Sequence, residues 1–196
     1  MARMNPTTLT TLFLSLLLLS ACERPAQPAD PKLVALAEQT VMPNTTRMVN
    51  DGELVSGIYF VVDSGYGYRR HGFNHDYAQY VNTIPGLSDV IHIDPSPIVT
   101  LGNFTRIYSD KAMHGGREVR LVMDAVGSAR WQVATRRSIN KQLAIVVRDS
   151  VISAPVVIGE IPNGVASISL GKVSDAEVEA FTARLNAEKK DVPALR

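Results

Sequence analysis

The clearest hydrophobic periodicity lies in the second half of the chain. EVRLVMD (118–124) alternates or runs apolar as a strand, and Asp124 stands where a helix N-cap belongs. The helix it opens brings Trp131, Ala134 and Thr135 to one face and ends near Asn140. LAIVVRDSVISAPVV, Leu143 to Val157, is apolar on both sides of Arg148-Asp149-Ser150, the pattern of a hairpin, and VASISL (165–170) alternates as a further strand after the turn Pro162-Asn163-Gly164. Ser174 to Glu177 reads Ser-Asp-Ala-Glu, a capping box in which hydroxyl and carboxylate satisfy each other's backbone amides, and Val173 and Val178 flank it as a hydrophobic staple. Val178, Phe181, Thr182 and Leu185 then form a helical stripe, with Glu179, Arg184 and Lys189 on the wet side. Strand, helix, hairpin, strand and helix in that order predict an α+β fold, an antiparallel sheet with helices packed on one face.

The first half is less regular. IYFVVD (58–63) is a strand run, and Val90–Ile93 is another that stops at Asp94-Pro95. Between them, SGYGYRRHGFNHDYAQY reads as a surface loop leading into a helix from about Asn74 to Asn82, and Pro97–Thr105 reads as a connecting segment. Leu33, Leu36 and Ala37 give a weak helical spacing over Lys32–Thr40, broken by Pro43-Asn44. ERPAQPADP (23–31), rich in proline, is a partly extended tether. The expected division is residues 22–46 as tether with a short helix, 47–116 as a β-rich region with an aromatic loop, 117–190 as the α+β domain, and 191–196 as a polar tail.

The amino terminus changes the picture from a domain to an anchored domain. Arg3 gives a positive start, Leu9–Leu19 is a short apolar run, and Ser20-Ala21 are small, which is the pattern of a secretory signal peptide over residues 1–21. Cys22 is the only cysteine, so neither an intrachain disulfide nor a cysteine metal cluster can form. Leu19-Ser20-Ala21-Cys22 resembles the lipobox of bacterial lipoproteins, which implies that the Cys22 thiol receives a diacylglyceryl group and, with palmitate-type chains, anchors the domain to a membrane. Glu23 after the cysteine leans toward the outer membrane. Loss of residues 1–21 removes Arg3 alone among charged side chains, so the 20 basic and 19 acidic residues of the whole chain become equal in number. A neutral chain without a basic block excludes nucleic acid as a partner.

The candidate chemistry is sparse. His71, His75 and Asp76 lie close together, but no HExxH or distant third ligand supports a metal site. Ser64 and Ser153 lack a Gly-x-Ser-x-Gly context, His92 and His114 lack a partner serine, and no glycine-rich phosphate loop joins a strand to a helix. The expectation is a non-enzyme without cofactor or metal. Tyr66, Tyr68, Arg69, Phe73 and Tyr77 have the composition of a partner-binding surface, although rings of this kind also cover sheet edges. A free strand edge offers a second mode, adding an extended peptide through backbone hydrogen bonds.

The stretch from Val119 to about Asn186 resembles the head of the first large periplasmic domain of SecD, the auxiliary subunit of the bacterial preprotein translocase. The residues that carry the likeness are VRLVMDAVGSARWQVATRRSINKQLAIVV and VISAPVV, continued by Ala166, Ile168, Ser169 and the helix start at Ser174–Glu177. Pro97–Gly116 is similar to the segment leading into that head. The resemblance implies a SecD-head-like, ferredoxin-like sandwich and contact with unfolded or emerging polypeptide; Ile152 and Pro155, in the hairpin stretch, are further candidate partner-binding residues. The family usually has Asp-Gly at the hairpin turn; Arg148-Asp149-Ser150 here implies a longer turn or another type. SecD continues into transmembrane helices that couple proton flow to export, and this sequence has no further apolar run of spanning length, so the expectation is a binding module and not a proton-driven translocase. The expected function is that of a lipid-anchored, periplasm-facing protein that contacts polypeptides or an envelope partner and is linked to export. The alternative is an assembly lipoprotein that docks one fixed partner through its aromatic loop.

Overall fold

The computed structural model of the chain describes residues 27–41, 54–63, 78–81, 90–112, 116–170 and 173–196. Cys22 and the aromatic-loop residues Tyr66, Tyr68, Arg69, Phe73 and Tyr77 lie outside them, as do His71 and His75. In chain order the elements are α1 (Pro31–Thr40), β1 (Gly57–Asp63), β2 (Ala78–Val81), β3 (Val90–Ile93), β4 (Val99–Thr100), a 3₁₀ turn (Leu101–Asn103), β5 (Phe104–Lys111), β6 (Arg117–Met123), α2 (Ala125–Arg137), β7 (Leu143–Val147), β8 (Ser150–Ser153), β9 (Val165–Ser169) and α3 (Asp175–Glu188).

The expected antiparallel α+β fold is present, with its strands divided between two sheets. The larger runs β2-β3-β1-β7-β8, with β4 also pairing to β1, and the smaller runs β5-β6-β9. The hairpin β7–β8 therefore pairs with β1, through Ile58 opposite Ile145 and Phe60 opposite Leu143, and not with β6. One continuous core lies between the sheets and helices: Ile58 and Phe60 of β1, Leu121 of β6, Trp131 and Val133 of α2, Leu143 and Ile145 of β7, Ile168 of β9, and Val178 and Leu185 of α3 all belong to it. Alternation sends Tyr59, Ala144 and Val146 to the opposite face, where they meet Leu54, Ile93 and Val151 in a second buried cluster. Every residue of β7 is buried, which explains why its sequence is apolar without a break.

The helix caps form as the sequence predicts. Asp124 accepts from the Gly127 amide at 2.6 Å. The Glu177 carboxylate accepts from the Ser174 amide at 2.7 Å while the Ser174 hydroxyl accepts from the Glu177 amide at 3.3 Å. The Ser174 amide first, and its hydroxyl second, hold the Glu177 carboxyl below its ordinary range.

Four local expectations are corrected. Ala78–Val81 is a strand paired with β3, not part of a helix, since Ala78, Gln79, Tyr80 and Val81 align with Ile93 to Val90 in antiparallel register. Phe104–Lys111, whose start falls in the expected connecting segment, is a strand; its pairing with β6 is irregular between Phe104 and Arg106, which breaks the alternation that would reveal it. The β7–β8 turn is neither longer nor of another kind than an Asp-Gly turn would be. Val147 pairs with Ser150, and the two residues between them, Arg148 and Asp149, hold φ of 48° and 57°, the geometry of a type I′ turn without glycine. The last of the four is the polar tail, which is docked. Asn103, fully buried, donates to the Leu195 carbonyl at 3.1 Å and accepts from the Leu195 amide at 3.0 Å, and the Thr100 hydroxyl donates to the Pro193 carbonyl at 2.6 Å.

The segment read as tether is also held over part of its length. Arg137 donates to the carbonyls of Glu38 and Val41 and pairs with the Glu38 carboxylate at 3.0 Å, so its guanidinium caps the carboxyl end of α1. Arg130 donates to the Ile98 carbonyl at 2.6 Å from the same face of α2.

Candidate functional site

The segment from Pro155 to Ile161 crosses from the larger sheet to the smaller and encloses a groove of about 430 Å³. Buried Ile58, Trp131, Leu143, Ile145, Val157 and Ala166 form its floor. Val156 and Ile158, 55% and 93% exposed, stand at its rim. The indole N–H of Trp131 donates to the Val165 carbonyl at 3.2 Å, so the polar end of the ring is satisfied. Glu160 is the charged residue of the lining, and its carboxylate is engaged by Gln132 at 2.5 Å and by Arg136 at 3.8 Å. The groove is therefore largely apolar, with Glu160 paired at its side and the Ser167 hydroxyl as a further polar group, and it suits uncharged side chains.

Its wall is fixed at both ends. The Pro155 carbonyl accepts from the Leu143 amide at 3.2 Å, and Val157 exchanges backbone bonds with Asn140 and Lys141. The Ile161 amide donates to the Thr135 hydroxyl at 3.0 Å, and the Pro162 carbonyl accepts from the Ala29 amide at 3.0 Å. Gly164 closes the segment with φ of 62°, and a β-carbon there would lie 1.9 Å from the Ser128 hydroxyl oxygen, so the turn needs glycine both for its backbone and for its contact with α2. A wall held in this way does not have to be ordered when a ligand binds.

One edge of the groove is a strand end. β9 is the outer strand of its sheet, so among the described residues it has a neighbour on one side alone. Its register with β6 runs from Val165 opposite Val122 to Ser169 opposite Glu118. The Val165 carbonyl is taken by the Trp131 indole, and the other outward backbone groups of β9 meet no further described strand, which beside an apolar pocket is the combination that accepts an extended peptide.

Of the residues singled out from the sequence, Pro155 lines the groove; Ile152 is half-buried against the main core instead. Pro155 follows the outer strand β8 at a point where its carbonyl is used and no amide is required. Trp131, Val156, Ile158 and Ala166 are groove residues that sequence reasoning assigned to core or strand, or passed over. Val156-Val157-Ile158, an apolar run continuing past a proline that ends a strand, is the signal that points to them.

A model of the family described as SecDF, P1 head subdomain, matches residues 82–189, more than half of the 196 residues. No curated protein sequence matches. Among solved structures, the crystal structure of SecDF in its super-membrane-facing form aligns with a TM-score of 0.51 and 21% identity, over 74% of this chain and 20% of that one. A second, from work on the structure and function of SecDF as a membrane component that enhances protein export, aligns with a TM-score of 0.51 and 18% identity, over 87% of this chain and 94% of that one. At these identities the likeness is one of fold, and this chain spans about a fifth of the length of the first SecDF chain.

Proposed function

The chain belongs to the SecDF P1 head family, and on that premise we propose that it is a lipid-anchored, non-enzymatic binding module of the bacterial envelope, facing the periplasm, that takes up an extended apolar segment of another polypeptide in connection with protein export. The observation that carries this reading is the apolar groove over Trp131 and Ala166 with its fixed Pro155–Ile161 wall and the open edge of β9 beside it. An extended chain pairing with β9 would direct alternate side chains into the groove, which gives affinity tolerant of sequence. The fold neighbours support the export link, since one of them is described as a membrane component that enhances protein export. Membrane attachment rests on Cys22 and on the signal-like residues that precede it.

A photo-reactive amino acid at Val156, exposed at the rim, is expected to trap many polypeptides of different sizes in living cells, while the same group at Ala183 on α3 traps none. A single discrete adduct at Val156 would favour the docking of one fixed partner, and no adduct would contradict both readings. Attachment has its own test. Cys22→Ala is expected to abolish labelling by radioactive palmitate and to free the protein from the membrane fraction; label that persists in the variant contradicts the anchor.

A further inference from the structure

We infer that the corner of the domain carrying Ile158 is a lipid-contact surface that rests against the bilayer to which Cys22 is anchored; the inference builds on the anchored reading above. Three large apolar side chains are exposed at this corner: Ile158 at 93%, Val156 at 55% and Ile139 at 42%. They are held together by backbone pairing, because Ile139 bridges to Val157, which lies between the other two, and Asn140 and Lys141 bond to the same residue. Gly159 follows the tip with open space where a β-carbon would stand, so among the described residues nothing covers that side of the tip. Exposed apolar side chains gathered at one point mark an interaction surface.

The route of the chain says which surface. The Ala29 amide is bonded to the Pro162 carbonyl, so the amino-terminal lead joins the domain four residues from Ile158. Cys22 is seven residues before Ala29, a reach of at most about 24 Å, and Ile158 is at most about 14 Å along the chain from Pro162. The anchor is thus at most about 38 Å of chain from Ile158, and anchoring turns a weak contact of a few side chains into an intramolecular one. Charge agrees with a lipid surface. Lys141 is exposed beside Val157, ready for anionic headgroups, whereas Glu160 on the same segment is held by Gln132 and Arg136. With Ile158 in the headgroup layer, the groove opens next to the membrane.

The acylated full chain carrying Ile158→Cys provides the test, because Cys22 is the only cysteine and its thiol is consumed by the acyl group, leaving one thiol for an environment-sensitive dye. The protein is reconstituted into vesicles of phosphatidylethanolamine and phosphatidylglycerol, with or without nitroxide-bearing lipid, beside a matched Ala183→Cys protein labelled on the exposed side of α3. Nitroxide lipid is expected to remove most of the emission at 158 and leave that at 183 unchanged. Equal, unquenched emission at both sites in protein that needs detergent for extraction overturns the lipid contact and leaves the anchor standing. Protein recovered without detergent overturns the anchor and the contact with it. A dye at 158 that is shielded but unquenched is covered by protein and also overturns the contact.

Discussion

Arg148 and Asp149 hold a left-handed backbone that side chains with a β-carbon adopt only at a cost, of the order of 1 kcal/mol each. What holds them is remote in sequence. The Arg148 amide donates to the Ser56 hydroxyl at 2.8 Å, the Leu54 amide to the Asp149 carboxylate at 2.8 Å, and the Arg148 guanidinium meets Glu188 at 3.1 Å. Asp149 also bears on Tyr59, whose phenol is pushed up first by burial and second by that carboxylate, and which donates to the Val55 carbonyl at 2.6 Å. An acid whose folded-state pKa exceeds its unfolded value of 10.0 is ionised earlier in the unfolded chain, so its contribution to stability is complete below pH 10 and declines as pH rises beyond it. Urea denaturation followed from pH 9 upward is therefore expected to show stability falling with pH in the parent and a shallower fall in Tyr59→Phe; identical slopes contradict the assignment. At this scale the sequence was legible where the physics is local. The caps at Asp124 and Ser174 are read from residues within three positions, whereas the turn type depends on Leu54, Ser56 and Glu188, which no local pattern brings to the hairpin.

Elements with an unbroken period were read from the sequence, and those with a disturbed one were not. β6, α2, β7, β9 and α3 lie close to where their alternation or helical stripe puts them. β5 was missed because the irregularity after Phe104 sets its buried residues, Phe104 and Ile107, three apart, a spacing that fits no strand. The docked tail was missed for a different reason: its partners are the buried Asn103 amide, the Thr100 hydroxyl and a glycine, none of them near it in sequence. Gly102 lets the tail approach so closely that a β-carbon there would lie 2.3 Å from the Ala194 nitrogen and 2.4 Å from the Val192 oxygen. Gly102→Ala is accordingly expected to displace residues 192–195, to free the Leu195 amide from Asn103, and to cost about 2 kcal/mol in chemical denaturation. Hydrogen exchange at Leu195 that stays as slow as in the parent would contradict this account.

At the scale of the molecule, the two sheets share a core but leave a gap where the chain passes between them, and the Pro155–Ile161 wall turns that gap into a groove. The family likeness was legible from LAIVV and VISAPVV because those strands are apolar for structural reasons, while the groove was not, since it exists only once β7 has paired with β1 and β9 with β6. Trp131, the only tryptophan of the chain, lies on the groove floor and reports directly on its occupancy. The most direct measurement is its fluorescence during titration with an unfolded, apolar-rich polypeptide that lacks tryptophan. A saturable change is expected in the parent, with affinity about tenfold weaker in Val156→Asp, where a charge replaces an exposed rim residue without touching the core. Emission that does not change at high polypeptide concentration, or that changes equally in parent and variant, would contradict the central claim.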